Sequence, residues 1–411
     1  MIEKLRTHSI GVVGVGKLGL PLAVVLADAG HEVVAVDKNA DRIAALKADG
    51  YTGPEPDVEK LLKRNQEKIQ FSNDFNTLEN SDIVYVIVPT PSDDNGLFIN
   101  TYLLSALSDV GRIWKGGNKR HTLVVVSTVI PGSCENSLIP HFEKELNEKL
   151  GPRINLLYSP EFIALGTVVF NLKNPDLTLI GAVDENAAEL HLEIMNTIVE
   201  SKPETQVLKL TEAELSKLLI NTYVTMKISF ANFIFEITDK IGGNAELVAK
   251  SIGMDSRIGF KYLKPGLGFA GPCFPRDNKA LIAIANSQKL IANLAIATDE
   301  INSRQPQAMF KRISANLNKK SHILIIGITY KYGSEVVEES QGIKLAHEFA
   351  NAGFQVTAID SNLNESPKEL SKDVRFLNKE EDFSQYDFII NANGSPFEIK
   401  GKINSEKYVK Y

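Results

Sequence analysis

A glycine cluster near the start, Gly14-Val15-Gly16-Lys17-Leu18-Gly19, constrains this 411-residue chain more than any other feature. It follows a β-rich stretch, Ser9 to Val15, and precedes helical periodicity from Leu18 to Ala29; His31 to Asp37 then returns to a strand. Strand, glycine turn, helix and a strand-closing acid together form a dinucleotide signature. Gly14 permits the tight turn, Gly16 lets backbone N–H groups approach a pyrophosphate at the helix N-terminus, and Gly19 lets helix and strand pack closely. Asp37 would accept from a ribose 2′-OH and repel a 2′-phosphate, which favours NAD over NADP, with Lys38 and Arg42 as nearby cations. Gly11-x4-Gly16-Lys17 also begins like a phosphate-binding loop of nucleotide hydrolases, but Leu18 stands where a Ser or Thr must hold Mg²⁺.

Further apolar strand candidates are Ile83–Val88, Thr122–Val126 and Ile154–Tyr158, with helical patterns between them, so a doubly wound parallel sheet is expected over residues 1–200. Thr211 to Ile241 reads as one long helix, opened by Thr211 as N-cap with Glu214 three residues on. A second strand–loop–helix–strand pattern follows at His322–Ile328, Gly342–Ala352 and Phe354–Asp360, with Phe388–Asn391 as another strand. The expected fold class is α/β: two Rossmann-like parallel-sheet domains, 1–200 and 306–411, joined by a central helical region, 201–305. Ile399 to Tyr411 reads as a loosely held polar tail, and no short-period internal repeat is visible.

Composition narrows the partners. Lys plus Arg total 45 and Asp plus Glu 51, a net charge of −6 that supplies no basic field for nucleic acid or an anionic membrane. The longest apolar runs fall short of a membrane span, and Lys17 with its neighbouring glycines interrupts what would otherwise resemble a secretory signal. Two cysteines, Cys134 and Cys273, suit a reducing, cytoplasmic compartment. The histidines and cysteines have no metal-ligand spacing, so no metal is expected.

Polar residues recur at strand ends, where a doubly wound sheet binds its ligands: Pro89-Thr90, Ser127-Thr128 and Glu161. Cys273 is the sharpest single feature. It lies in Gly266-Leu-Gly268-Phe-Ala-Gly-Pro-Cys273-Phe-Pro-Arg276-Asp277, a glycine- and proline-punctuated loop entering a helix, where a sulfur can stand exposed near backbone N–H groups and a cation. Cys134, beside Glu135 in the first turn of a helix, is less suited to holding a thiolate.

These strings, together with Pro131-Gly132, Pro160-Glu161-Phe162, Glu212 through Asn232 and Arg257-Ile-Gly259, resemble the UDP-glucose/GDP-mannose dehydrogenase family over nearly the whole chain. The resemblance implies NAD-dependent four-electron oxidation of a nucleotide-activated hexose at C6, in a homodimer or higher oligomer, supplying precursors of surface polysaccharide. It implies Cys273 as nucleophile, Lys227 with a water organised by Thr128, Glu161 and Asp277 for proton removal, and Lys227 with Asn232 as oxyanion donors. Cofactor contacts carry over to the Gly14–Gly19 turn, Asp37, Arg42, Pro89, Thr90, Ser127, Thr128 and Arg276. Sugar-nucleotide contacts carry over to Phe162, Ile163, Ala164, Leu165, Lys217, Asn221, Arg257, Tyr262, Gly268 and Lys331, with Arg257 reaching a neighbouring subunit.

The chain departs from the family pattern at Ala164-Leu165, usually a charged pair, and at Glu338, usually arginine. UDP-N-acetylhexosamine and GDP-mannose remain alternative substrates. A two-electron hydroxyacid-type dehydrogenase and a non-catalytic sugar-nucleotide binder are the competing readings.

Overall fold

The structure is a computed structural model and describes residues 6–48, 50–183, 185–379, 382–396 and 408–411. The chain divides into two compact units, Met1–Lys217 and Leu218–Tyr411.

The first unit is built on an eight-stranded sheet: β1 Ser9–Val13, β2 Glu32–Val36, β3 Ile69–Ser72, β4 Ile83–Val86, β5 His121–Val125, β6 Ile154–Tyr158, β7 Leu177–Gly181 and β8 Glu204–Leu208. Its order is β3-β2-β1-β4-β5-β6-β7-β8, parallel throughout except where β7 runs antiparallel to β6. Ile10, Val12 and all of Ile83–Val86 are buried, the continuous apolar pattern that strands covered on both faces require. One core forms around the helix Gly19–Asp28, the other around Leu103, Leu107 and Trp114 of the helix Thr101–Trp114. Strand order reverses between β1 and β4, so the loops leaving β1, β2, β4, β5 and β6 share the carboxyl edge of one parallel sheet.

The second unit carries a five-stranded, all-parallel sheet of β9 His322–Ile326, β10 Gln355–Ile359, β11 Val374–Leu377, β12 Phe388–Asn391 and β13 Tyr408–Lys410, ordered β11-β10-β9-β12-β13. Strand β13 corrects the reading of a loose tail for its described end: Tyr408–Lys410 pairs with β12, and Tyr408 and Tyr411 pack against two different apolar clusters. The rest of that tail lies outside the described residues. The helices Phe274–Ser287 and Asn293–Ser314 precede the sheet, and Gln341–Asn351 follows β9.

Both sheets close their first strand–helix–strand unit in the same way. The amide of Gly14 donates to the carbonyl of Val36 and that of Gly327 to Ile359, each at 2.8 Å. A Cβ on Gly19 would lie 1.8 Å from the Gly14 oxygen, and one on Gly342 would lie 2.5 Å from the Gly327 oxygen. The first pair is five positions apart and the second fifteen, so the recurrence has no fixed period in the sequence.

The long helix spans Leu210–Ile241. By length and composition it is apolar enough to cross a bilayer, yet Glu214, Thr225 and Asn232 within it are fully buried against protein. Its start corrects the sequence-based cap: Thr211 lies inside the helix and donates to Glu135, while Glu212 accepts from the Lys209 amide at 3.1 Å. Glu214 reaches elsewhere in the first unit.

Candidate functional site

In the first unit the glycine turn divides into two kinds of position. Gly14 has φ +94°, and a Cβ there would meet the Ile87 oxygen at 2.1 Å, so Gly14 and Gly19 answer to the packing of the fold. Gly16 meets no such constraint among the described residues: its Cβ would have no heavy atom within 4 Å. The open approach leads to the first turn of the helix, whose N-cap Leu18 contributes no side-chain acceptor and whose first turn has no acid. Amides without a protein acceptor at a helix N-terminus suit a pyrophosphate. Val15 is buried and Lys17 exposed. The Val15 amide donates to Asp37 Oδ2 and the Asn39 amide to Oδ1, both at 2.9 Å, fixing the half-exposed carboxylate at the end of β2 with lone pairs to spare for ribose hydroxyls. Arg42 is exposed one turn further on. These residues fit an NAD cofactor.

The loops after β4 and β5 are stitched together. Ser127 Oγ donates to the Val88 carbonyl at 2.7 Å and accepts from its amide at 2.9 Å, while Thr90 Oγ1 donates to the Thr128 carbonyl at 2.7 Å. Pro89 is exposed beside the buried Thr90, and Thr128 is half-buried. Glu214, from the long helix, accepts from the Gly132 and Cys134 amides at 2.5 and 2.8 Å and so anchors the same loop from behind. Burial pushes the Glu214 carboxyl up despite those donors, and burial together with Glu214 pushes the Cys134 thiol well up. Cys134 is an inert core residue.

Glu161 follows β6. Its carboxyl is enclosed by protein although the residue keeps some surface, and this burial pushes it up to about 7, against the pull of the Lys217 ammonium. Lys217 Nζ donates to the Glu161 carbonyl at 2.7 Å and lies 4.3 Å from the centroid of the Phe162 ring. In the loop that follows, Ile163 and Leu165 pack against the core and Ala164 is exposed, so Leu165 fills an apolar role.

Two supports of this region escaped sequence reasoning. Glu55 accepts from the Gly166 and Val168 amides at 2.7 and 2.5 Å, pinning the end of the loop; its one sequence signal is a carboxylate flanked by Pro54 and Pro56. Beneath Glu161 runs a buried chain in which His191 Nδ1 faces the Tyr85 hydroxyl at 3.0 Å and Nε2 faces Ser159 Oγ at 2.9 Å. Burial holds His191 at about 4 and raises Tyr85, so both stay neutral.

In the second unit Cys273 is exposed at the N-cap of the helix Phe274–Ser287, in no disulfide. Asp277 in the first turn is 1% exposed and accepts from Asn221 Nδ2 at 2.6 Å, with Arg276 Nε 3.7 Å from its other oxygen. The loop leading to Cys273 is held by buried amides. Asn232 Oδ1 accepts from the Gly266 amide at 2.9 Å, Gln305 donates to the Gly266 carbonyl, and Asn302 and Gln341 both donate to the Phe269 carbonyl at 3.0 Å. A Cβ on Gly268 would lie 2.0 Å from Asn302 Oδ1, and one on Gly271 would lie 2.5 Å from the Tyr330 ring. Asn302, Gln305 and Gln341 were not expected; the i, i+3 spacing of buried polar residues on one helix is the signal that could have found the first two.

Asn232 Nδ2 is a buried donor with no partner among the described residues. Lys227 donates to the Ile258 and Gly259 carbonyls at 3.0 and 3.4 Å, while Arg257 is exposed and paired with Asp255 at 2.6 Å. Tyr262 is exposed at φ +63°, and Lys331 is half-buried with its carbonyl 3.1 Å from Thr329 Oγ1. Lys217, Asn221, Lys227 and Asn232, all on the long helix, thus serve separate partners: the Glu161 carbonyl, Asp277, the Ile258 and Gly259 carbonyls, and the Gly266 amide. Glu338 turns its side chain to solvent and uses its carbonyl to accept from Gly271 at 3.0 Å. Among the described residues no three His, Cys, Asp or Glu side chains gather as metal ligands.

Comparison with known proteins bears on this geometry. The models of the UDP-glucose/GDP-mannose dehydrogenase family match residues 8–199 as its NAD binding domain and 211–304 as its central domain. A UDP-glucose 6-dehydrogenase of Rhizobium meliloti is 30% identical over 370 residues, 88% of this chain and 83% of that protein. A GDP-mannose 6-dehydrogenase of Pseudomonas putida is 29% identical, covering 86% of this chain and 81% of that one. A solved UDP-glucose dehydrogenase from Pyrobaculum islandicum superposes with a TM-score of 0.87 at 28% identity, covering 100% of this chain and 95% of its own.

Proposed function

Because this chain belongs to the UDP-glucose/GDP-mannose dehydrogenase family and so is an NAD-dependent oxidoreductase, we propose that it oxidises C6 of UDP-glucose, or a close nucleotide-activated hexose, to the uronate. Bound NAD⁺ supplies the hydride acceptor, two electrons for each of two oxidations. In the first, Lys227 and a water organised by Thr128, Glu161 and Asp277 take the alcohol proton as the aldehyde forms. Cys273 Sγ then adds to the aldehyde carbon, and the resulting thiohemiacetal is oxidised in turn to a thioester. Water cleaves the C–S bond, releasing the carboxylate and returning the thiol. Lys227 and Asn232 donate to the oxyanion at each tetrahedral stage, a role that suits the unpartnered Asn232 Nδ2.

The observation that carries this reading is Cys273 exposed at a helix N-terminus with buried Asp277 in the same turn. The nucleotide sugar is held by the Phe162–Leu165 backbone, Lys217, Asn221, Arg257, Tyr262, Gly268 and Lys331. The enzyme works as a homodimer in the cytoplasm and supplies surface-polysaccharide precursors. Residues 1–200, 201–305 and 306–411 act as cofactor, dimerisation and sugar-nucleotide domains.

The test is NADH counted per sugar over a panel of UDP- and GDP-sugars. Two per molecule are expected with the true substrate. Cys273→Ala should lose uronate formation by roughly a thousandfold or more, as loss of a covalent nucleophile does. A ratio of one, or full turnover in Cys273→Ala, would return the hydroxyacid-type reading.

A further inference from the structure

Lys38 directly follows Asp37, where a cation is placed to receive the 2′-phosphate of NADP. Its ammonium is instead drawn to the helix Thr101–Trp114: Nζ lies 2.7 Å from Ser105 Oγ and 2.7 Å from Asp109 Oδ2, with the Phe75 ring centroid at 5.6 Å. Ser105 and Asp109 are four residues apart and present one face. Asp109 Oδ2 is shielded from solvent, and Lys38 is the cation facing it; Arg112 takes the other oxygen. Asp109 Oδ2 accepts no hydrogen bond among the described residues, so swinging Lys38 toward a phosphate would take away its ion-pair partner as well.

We propose that Asp109, with Ser105, is a specificity-determining residue for the cofactor: it withholds Lys38 from a 2′-phosphate and so reinforces the exclusion of NADP begun by Asp37. Asp109 acts through Lys38 and touches no cofactor atom itself. The proposal depends on NAD use and not on which sugar is oxidised.

NADH and NADPH binding to the full chain, followed by fluorescence titration at fixed ionic strength, tests it. In an Asp37→Ser background, which removes the repelling carboxylate, adding Asp109→Asn should tighten NADPH about fivefold and move NADH less than about twofold, the scale of one released surface charge. Adding Lys38→Ala should abolish that gain. An NADPH affinity indifferent to Asp109→Asn overturns the proposal, and so does a gain that survives Lys38→Ala, which would assign it to the released Arg112. If Asp109→Asn does not fold, Ser105→Ala decides by the same comparison, with the gain again required to vanish with Lys38. None of these titrations uses a sugar, so they stand or fall apart from the substrate assignment.

Discussion

Glu161 ionises near 7 because its carboxyl is enclosed by protein, against 4.5 for a solvated glutamate. In its proposed role of organising a water for proton removal Glu161 must be charged, so kcat/KM should rise with pH through an apparent value near 7, and Glu161→Gln should lose that limb along with most activity. Stability runs the other way. With the folded value raised above the unfolded one, the folded state holds more protons between 4.5 and about 7, so stability is greatest below this window and falls as pH rises through it. Glu161→Gln should therefore raise Tm at pH 8 more than at pH 5; an equal shift at both would mean the carboxyl titrates normally. The position of Glu161 was legible, since a strand end followed by Pro-Glu-Phe is a local pattern. Its raised ionisation was not, because the enclosing residues include Tyr85, far away in sequence.

At the scale of elements, local signals were read well and distant contacts poorly. The glycine turn, its strand and its helix were legible because each signal lies within a few residues of the next. Gly16 and Gly19 should respond differently to the same change. Gly16→Ala has room for its methyl and should keep stability within about 1 kcal/mol while weakening NADH binding. Gly19→Ala would press its methyl into the Gly14 carbonyl and should cost about 1–3 kcal/mol or more of stability. Chemical denaturation and NADH titration of the two variants separate the cases, and equal destabilisation by both would refute the distinction. Glu214 marks where local reasoning fails. Three residues after a threonine it imitates a capping box, yet its carboxylate serves amides at Gly132 and Cys134, 82 and 80 positions away. Asn302 and Gln305 share one helix face by their i, i+3 spacing, but their partners, Phe269 and Gly266, lie across a loop whose path no periodicity encodes.

At the scale of the whole molecule, the net charge of −6 leaves phosphate binding to local devices, and the proposed dimer needs an apolar surface to close on. Leu219, Tyr223, Phe230, Phe233, Ile237 and Ile241 are exposed at spacings that form one stripe along the long helix. Phe230→Lys combined with Ile237→Lys should convert a dimer to a monomer in light scattering; a wild type already monomeric, or a variant still dimeric, would remove this stripe from the interface. The recurrence of one closure in both sheets has a further consequence. Asp360 stands at the end of β10 as Asp37 does at the end of β2, but it is 2% exposed, and its oxygens are taken by the Thr329 amide and hydroxyl and by Asn362. The second unit keeps the frame, but the acid in this position is not free for a ribose. A calorimetric titration should accordingly end at one NADH per chain. Under the proposed mechanism, two oxidations on a single cofactor site would make turnover a relay: reduced cofactor would leave and oxidised cofactor enter while the half-oxidised sugar waits, so the residence time of the aldehyde on Cys273, measured against the exchange rate of NADH, would set how faithfully each sugar is carried to the acid.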